Sequence, residues 1–355
     1  MPKFKDDKYW MLLAIEQAFK GRSTCAPNPA VGAVIVKQGH LLGTGWHKEA
    51  GQPHAEREAI ADTVVKHGID SLKGATIYIT LEPCSTEGRT PPCTSGIIEV
   101  GITRVVYGAI DPNPNHNGSA EKILQAANIE VSAGVADSEC RQLIRAFTKV
   151  QKTGLPWVIL KTAISLDGCI SRPPGESQWL SSPESREIVQ QLRYDTDAII
   201  TGGNTARMDN PSLTIRSKNL PTRKQPWRML VTLGKRENLP NDLQVFTDDY
   251  SDSTLVQEDG DLHSALKRLV KRGCNTVMVE AGGTLIASFL EQQLADEVVV
   301  FYTPMLTGGP NNGFGLLTPM VELDEQEFIQ IGNDVMLRAV VQKHKKTSDS
   351  QIASH

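Results

Sequence analysis

The sequence predicts two consecutive α/β domains, and three observations carry that expectation. The chain has 355 residues, more than one ordinary core holds at roughly 150 residues per domain. Short apolar runs alternate with helical patterns in both halves, as in layered α/β folds with some parallel pairing. Between the halves, Gln151–Pro156 (QKTGLP) lapses into Lys, Gly and Pro, which reads as a linker. The domains are therefore placed at residues 1–150 and 151–345, with 346–355 a polar, frayed tail.

In the first half, Ala33–Val36 (AVIV), Thr76–Thr80 (TIYIT) and Arg104–Tyr107 (RVVY) read as buried strands. Helices are expected at Asp7–Phe19, His54–Lys66, Cys93–Val100 and Ala120–Ala127. The second half begins with a strand at Trp157–Leu160, and further strands are expected at Ala198–Thr201, Met229–Thr232, Val277–Val279 and Val298–Tyr302. Its helices are expected at Pro183–Arg193, with Ser182 as N-cap, and at Leu262–Lys271.

Composition excludes several classes. Thirty-seven Lys and Arg against 41 Asp and Glu give a net charge of −4, without the basic excess that phosphate-tracking proteins carry, so no nucleic-acid partner is expected. Hydrophobic residues at 39% and charged residues at 22% fit a folded, soluble protein. No apolar run approaches the roughly 18–20 residues that cross a bilayer, and the start reads as an amphipathic helix rather than a signal peptide. Six cysteines are too sparse for a disulfide framework, so a reducing cytoplasm is the expected location and no membrane partner is expected.

The sharpest local pattern is His54-Ala55-Glu56, followed by Pro83-Cys84 and, after eight intervening residues, Cys93. Catalytic zinc takes three protein ligands and keeps one position open. One imidazole and two thiolates, with a glutamate two residues after the histidine, form the set used by zinc-dependent nucleobase deaminases. Pro53 places His54 and Glu56 in the first turn of a helix, where both can approach a metal lying off the helix end. A second helix beginning near Cys93 would favour its thiolate. Zinc lowers the pKa of bound water to about 7; the resulting hydroxide would attack an amidine-like ring carbon while Glu56 moves the proton to departing ammonia. A structural zinc site is the alternative, but such sites normally close with four ligands, and Cys25, Cys140, Cys169 and Cys274 have no CxxC-like relation to the cluster. His47 is open as a fourth ligand or as part of a substrate pocket.

The second half carries no GxGxxG and no Walker loop. It has two glycine turns after strands, Gly202-Gly203-Asn204-Thr205 and Glu280-Ala281-Gly282-Gly283-Thr284, each followed by a helical pattern. Such turns let backbone N–H groups face an anion, and equally often they are bare tight turns.

Several blocks resemble one known family. Ala26–Val36 (APNPAVGAVIV), Gly45–Glu56 (GWHKEAGQPHAE), Leu81–Cys93 (LEPCSTEGRTPPC) and Asp111–Pro114 (DPNP) are similar to the deaminase half of the bifunctional riboflavin-biosynthesis deaminase–reductases. Trp157–Gly168 (WVILKTAISLDG), Gly175–Trp179 (GESQW), Gln191–Asp197 (QLRYDTD), Thr205–Arg216 (TARMDNPSLTIR) and Glu280–Thr284 (EAGGT) resemble the reductase half in the same order. The resemblance implies a cytidine-deaminase-like α/β domain followed by a dihydrofolate-reductase-like α/β domain. It implies one zinc on His54, Cys84 and Cys93, with Glu56 as catalytic proton shuttle, and NADPH as the second cofactor. By the same carry-over Asn28, His47 and Arg89 meet the pyrimidine substrate, with Arg89 either on its phosphate or an ordinary surface arginine. Ala163, Trp179, Thr205, Asp209 and the turn Gly282, Gly283, Thr284, Leu285 line the NADPH site. Ser177, Arg193, Leu213, Arg216 and Glu280 line the reductase substrate, with Arg193 and Arg216 as phosphate clamps. Read singly, Trp179 is equally a core residue, Asp209 a turn former before Pro211, and Arg216 a solvated strand end.

The implied function is zinc-dependent deamination of 2,5-diamino-6-ribosylamino-4(3H)-pyrimidinone 5′-phosphate, then NADPH-dependent reduction of the ribosyl chain to 5-amino-6-ribitylamino-uracil 5′-phosphate. Its substrate is a phosphorylated ribosylaminopyrimidine, and a homo-oligomer is the expected assembly. Three departures from the family pattern stand out: Thr86 where His is frequent, Gly118-Ser119-Ala120 in place of a Gly-Lys-Gly-like run, and Cys169 where Lys or Arg usually follows SLDG. Two other readings are weighed. A nucleoside- or nucleic-acid-editing deaminase with a C-terminal binding module is opposed by the charge of −4 and the GRTPPC loop. A zinc-stabilised scaffold without activity has no use for Glu56.

Overall fold

The structure is a computed structural model, and it describes residues 5–86, 91–113, 118–171, 179–308, 312–315 and 320–343. By compactness the chain divides into Met1–Pro156 with Leu266–Asn275, and Trp157–Ala265 with Thr276–His355.

The first unit runs α1 (Asp7–Phe19), β1 (Gly32–Lys37), β2 (His40–Trp46), α2 (Ala55–His67), β3 (Thr76–Leu81), α3 (Cys93–Glu99), β4 (Arg104–Ala109), α4 (Ser119–Ala126), β5 (Glu130–Ala133), α5 (Asp137–Leu143) and α6 (Arg145–Thr153). Its sheet has the order β2-β1-β3-β4-β5, with β1 antiparallel to both neighbours and β3, β4 and β5 mutually parallel. The strand residues alternate between two cores, as the two-residue period of a strand requires. Ala33, Ile35, Ile77, Ile79, Val105 and Tyr107 pack with Ala55 and Ala59 of α2, Ile97 of α3 and Leu124 of α4. Val34, Val36, Tyr78 and Val106 pack with Trp10, Met11 and Ala14 of α1 and Cys140 of α5. Burial on both faces explains why these strands read as unbroken apolar runs.

Two glycines of β2 set the height of α2 on the sheet. A Cβ on Gly45 would lie 2.3 Å from the Ala59 nitrogen and 2.4 Å from the Ala55 oxygen, and one on Gly43 would lie 2.8 Å from the Ala59 oxygen. The helix backbone therefore rests directly on the strand, and its N-terminus is fixed beside the C-terminal end of β3. The same glycines make β2 a poor strand by composition, so it is absent from the sequence expectation, as are the short β5 and the helices α5 and α6. The expected linker needs correction: α6 runs through Thr153 and closes on Gly154 at φ +69°, leaving only 154–156 as connection.

After Pro156 the chain runs β6 (Trp157–Ser165), α7 (Pro183–Tyr194), β7 (Ala198–Gly202), α8 (Gly203–Asp209), β8 (Trp227–Val231), α9 (Gln244–Thr247), β9 (Thr254–Gln257), α10 (Leu262–Val270, counted with the first unit from Leu266), β10 (Thr276–Glu280), α11 (Gly283–Glu291), β11 (Glu297–Thr303), β12 (Leu323–Ile331) and β13 (Asp334–Val341). Among the described residues the sheet has eight strands in the order β12-β13-β11-β6-β10-β7-β8-β9. The run from β11 to β9 is parallel, and β13 and β12 close one side antiparallel. Ser182 caps α7 by accepting from the Ser185 amide, as expected. The strand β12 lies at the sheet edge with both faces mostly exposed, so it lacks the alternation that would have marked it. Among the described residues no helix is long and apolar enough to cross a membrane.

Candidate active sites

In the first unit the ends of β3, α2 and α3 bring one imidazole and two thiols together. His54 is the N-cap of α2, Cys84 follows β3, and Cys93 is the first residue of α3. Their donor atoms lie within 4.8 Å of one another, with His54 Nδ1 3.6 Å from Cys84 Sγ and 3.3 Å from Cys93 Sγ. Two ligands at zinc's bond lengths of about 2.0 and 2.3 Å and a tetrahedral angle are separated by roughly 3.5 Å, so the three side chains fit that ion without rearrangement. The Cys93 thiol, the His54 ring and the Cys93 amide, 3.3 Å from the sulfur, lower the pKa of the Cys84 thiol, toward the deprotonated form a metal requires. Glu56, in the first turn of α2, is 3% exposed, and burial raises its carboxyl above the ordinary value.

The neighbouring histidine has a different task. His47 Nδ1 lies 3.1 Å from the Pro53 carbonyl, an acceptor only, so that nitrogen carries the proton. Its Nε2 then accepts from Asn28 Nδ2 at 2.9 Å. Both ring nitrogens are occupied, and burial lowers the pKa, so the ring is neutral. With both ring nitrogens so engaged, His47 stands beside the cluster next to Asn28, its imidazole edge to face with that of His54 at 5.4 Å.

In the second unit the register of the sheet makes the site. Glu280, the last residue of β10, pairs with Lys161 of β6. Arg193 of α7 reaches the same carboxylate bidentately, Nε to Oε1 at 2.7 Å and Nη2 to Oε2 at 3.0 Å, and Lys161 Nζ stands 3.9 Å away. Burial alone would raise the Glu280 pKa, but the charges of Arg193 and Lys161 outweigh it and bring it down to about 2. Burial lowers the Arg216 pKa and the charge of Arg193 lowers it further; its exposed side chain hydrogen-bonds Ser212 Oγ. Three cations thus share one carboxylate, an excess of positive charge suited to an anionic ligand.

The two glycine turns meet beside this cluster. Gly202 and Gly282 are the N-caps of α8 and α11 and offer no side chain to the first-turn amides. Thr205 Oγ1 accepts from the Gly282 amide at 3.3 Å, tying one turn to the other. A Cβ on Gly283 would lie 2.1 Å from the Asn312 oxygen, so the chain closes over this helix start only because that residue is glycine. The arrangement fits the pyrophosphate of a dinucleotide.

Comparison with known proteins bears on both units. Residues 4–109 match the cytidine and deoxycytidylate deaminase zinc-binding region, and residues 156–337 match the RibD C-terminal domain. The riboflavin biosynthesis protein RibD of Escherichia coli is 36% identical over 374 residues, covering 94% of this chain and 99% of that protein. The chain belongs to the RibD family. Acinetobacter baumannii RibD superposes with a TM-score of 0.85 at 34% identity, covering 96% of this chain and all of that one. The Thermotoga maritima diaminohydroxyphosphoribosylaminopyrimidine deaminase/5-amino-6-(5-phosphoribosylamino)uracil reductase superposes with a TM-score of 0.84 at 33% identity, over 95% and 99% of the chains. Like other RibD proteins, this chain joins a zinc-binding deaminase domain to a reductase domain in riboflavin biosynthesis.

Within this RibD chain the expected site residues fall as follows. Arg89 and Ser177 lie outside the described residues. Arg193, expected as a phosphate clamp, gives two donors to Glu280 and one Nη1 N–H to the Thr214 carbonyl at 2.9 Å, which leaves two N–H groups of the guanidinium for a further acceptor. Trp179 is not core packing: it is 55% exposed, with the Arg186 guanidinium 5.2 Å over its ring. Asp209 ends α8 as an exposed residue, and the partial desolvation of its carboxyl raises its pKa. Leu213 is buried at φ +52°, and Ala163 lies in β6. Thr284 is exposed and Leu285 half-buried in the first turn of α11. Two residues escaped the sequence reading although both sit in quoted blocks. Lys161 is one; the other is Glu82, whose buried carboxylate accepts from the amides of Asp111, Gly118 and Ala120 at 3.3, 3.1 and 3.2 Å. A lone acid before Pro-Cys gives no sign that it anchors a loop 29 residues later.

Proposed function

We propose that the first unit hydrolytically deaminates 2,5-diamino-6-ribosylamino-4(3H)-pyrimidinone 5′-phosphate. The second unit then reduces the ribosyl chain of the product to ribityl with NADPH, giving 5-amino-6-ribitylamino-uracil 5′-phosphate. The observation that carries this reading is the presence, on one chain, of a His–Cys–Cys cluster beside a buried glutamate and of a cationic cluster around one carboxylate.

His54, Cys84 and Cys93 would hold zinc, which when bound supplies a Lewis acid and an activated water at neutral pH. Glu56 would hold and pass on the proton between attacking water and leaving nitrogen, a task favoured by a carboxyl whose pKa burial has raised. Asn28, oriented by His47, reads the pyrimidine edge. In the reductase, Arg216 is the phosphate contact and Arg193 orients Glu280 toward the sugar. Thr205, Gly282, Gly283, Thr284 and Leu285 cradle the dinucleotide, with Ala163, Trp179 and Asp209 along it. Preference for NADPH over NADH rests on the resemblance.

Incubating the protein with the diaminopyrimidine phosphate and either NADPH or NADH, while following ammonia and nicotinamide absorbance together, tests both halves. Ammonia should appear first, and nicotinamide oxidation should follow in equal amount. Deamination without oxidation would remove the reductase half of the proposal, and oxidation with NADH alone would remove the stated cofactor.

A further inference from the structure

We infer that Arg228 and Asp248 are positioning residues for the reductase substrate, acting through the loop 210–216. The inference rests on the reductase reading above. That loop joins α8 toward β8, has no regular structure, and carries Leu213 at φ +52°. Its backbone is held by side chains from around it. Thr214 O accepts from Arg193, Ile215 exchanges two hydrogen bonds with the Gln225 amide at 2.7 and 3.1 Å, and the Arg216 amide donates to Gln190 Oε1 at 2.6 Å. Ser212, in the middle, is held by Arg228 Nη1 at 2.9 Å.

Arg228 lies in β8 and is 1% exposed. Its five N–H groups all have acceptors. Nη1 and Nη2 clasp the Asp248 carboxylate at 2.6 and 2.8 Å, Nε donates to Thr254 Oγ1 at 3.0 Å, and the two remaining N–H groups go to the carbonyls of Ser212 and Val245 at 2.9 and 3.0 Å. A buried ion pair is often no more stabilising than apolar side chains of the same volume, so stability alone does not account for it. Geometry does. A guanidinium clasped bidentately points its other N–H groups in fixed directions, which an ammonium cannot do. Here one of those directions fixes the height of Ser212 above the sheet. Ser212 Oγ in turn accepts from Arg216 Nη1 and from Thr214 Oγ1, the latter at 3.0 Å. A relay therefore runs from Asp248 through Arg228 and Ser212 to the exposed guanidinium of Arg216, with buried Leu213 seated beside it. Neither Arg228 nor Asp248 reaches the ligand site itself.

The test is steady-state reduction of the deaminated, phosphorylated pyrimidine by Arg228→Lys and Asp248→Asn. Both variants keep a polar group at each position but lose the paired fork. The KM for the pyrimidine should rise roughly tenfold, the scale of one lost charge-assisted hydrogen bond, with kcat changed less than about twofold. The KM for the nicotinamide cofactor and the rate of ammonia release by the first unit should not move. An unchanged pyrimidine KM in both variants overturns the inference. So does a parallel fall in kcat and rise in both KM values, which is what a general loosening of the unit would give. Should Arg228→Lys fail to fold, Asp248→Asn decides alone, since the Asp248 side chain is 25% exposed and its replacement is close in shape. Absence of nicotinamide oxidation by the parent protein would instead overturn the reductase reading, and is seen before any variant is made.

Discussion

The two active sites of this chain are built on opposite plans. In the deaminase unit the functional side chains touch one another directly: His54 Nδ1 sits 3.3 and 3.6 Å from two sulfurs, with Glu56 two residues along the same helix. In the reductase unit the groups proposed to meet ligand are mostly backbone amides and one exposed arginine, while behind them Arg193 and Lys161 share the single carboxylate of Glu280. A metal ion needs particular donor atoms at about 2 Å and tolerates few substitutes. A phosphate accepts N–H groups from any residue type, so the chain is freer in how it supplies them. The first plan concentrates function in a few side chains, and the second spreads it over the fold.

The sharpest way to break this comparison is to remove one atom's chemistry from the concentrated site. Glu56→Gln keeps size and burial but cannot carry a proton. Deamination should fall by roughly 10²–10⁴, the usual worth of a general acid–base group. Metal analysis should still give about one zinc per chain, because Glu56 is not a ligand. Reduction of supplied deaminated pyrimidine should be unchanged. Deamination at near the parent rate would show that the shuttle lies elsewhere.

This difference in plan also decided what could be read in the sequence. His54, Glu56, Cys84 and Cys93 were visible as spacing, because metal chemistry dictates residue types at short intervals. The reductase site had no such signature: Lys161 and Glu280 meet only because β6 and β10 pair in one register, which no local pattern encodes. The resemblance supplies Glu280, Arg193 and Arg216 but not the pairing of Arg193 with Glu280, which appears only in the fold. The buried parallel strands were legible from apolar runs, whereas β2 was hidden by the two glycines that seat α2, and β12 by its exposure on both faces. His47 could be assigned only once its hydrogen-bond partners Pro53 and Asn28 were placed.

A spread-out site should show its cost in stability rather than in a single chemical step. Glu280→Gln leaves Arg193 and Lys161 buried without their counter-charge. The charges of Arg193 and Lys161 bring the Glu280 pKa in the folded protein down to about 2 from its ordinary 4.5, so the carboxylate stabilises the fold above about pH 4.5, and that contribution is lost as pH falls toward 2. The variant should therefore be less stable at neutral pH by about 3 kcal/mol, the linkage value of such a shift. The gap from the parent should begin to close below about pH 4.5. Denaturant titrations of both proteins at neutral pH and near pH 3.5 measure it. A gap independent of pH would mean that packing, not charge, holds Glu280.

The smallest expected effect probes the backbone part of the plan. Thr205 Oγ1 accepts from the Gly282 amide and so sets the distance between the glycine turns that open α8 and α11. Thr205→Val preserves shape and removes only that acceptor. A neutral hydrogen bond of this kind is worth about 1 kcal/mol, so the KM for the nicotinamide cofactor should rise roughly fivefold. On the proposed assignment the effect should fall on the cofactor and not on the pyrimidine, the turns being assigned to the first and Arg216 with its loop to the second. A change of that size can be read only as a ratio of the two KM values in one preparation, where errors in active fraction cancel. If both rise together, the two glycine turns and the cationic cluster form one mechanical unit, and the reductase site is less divided than its hydrogen bonds imply.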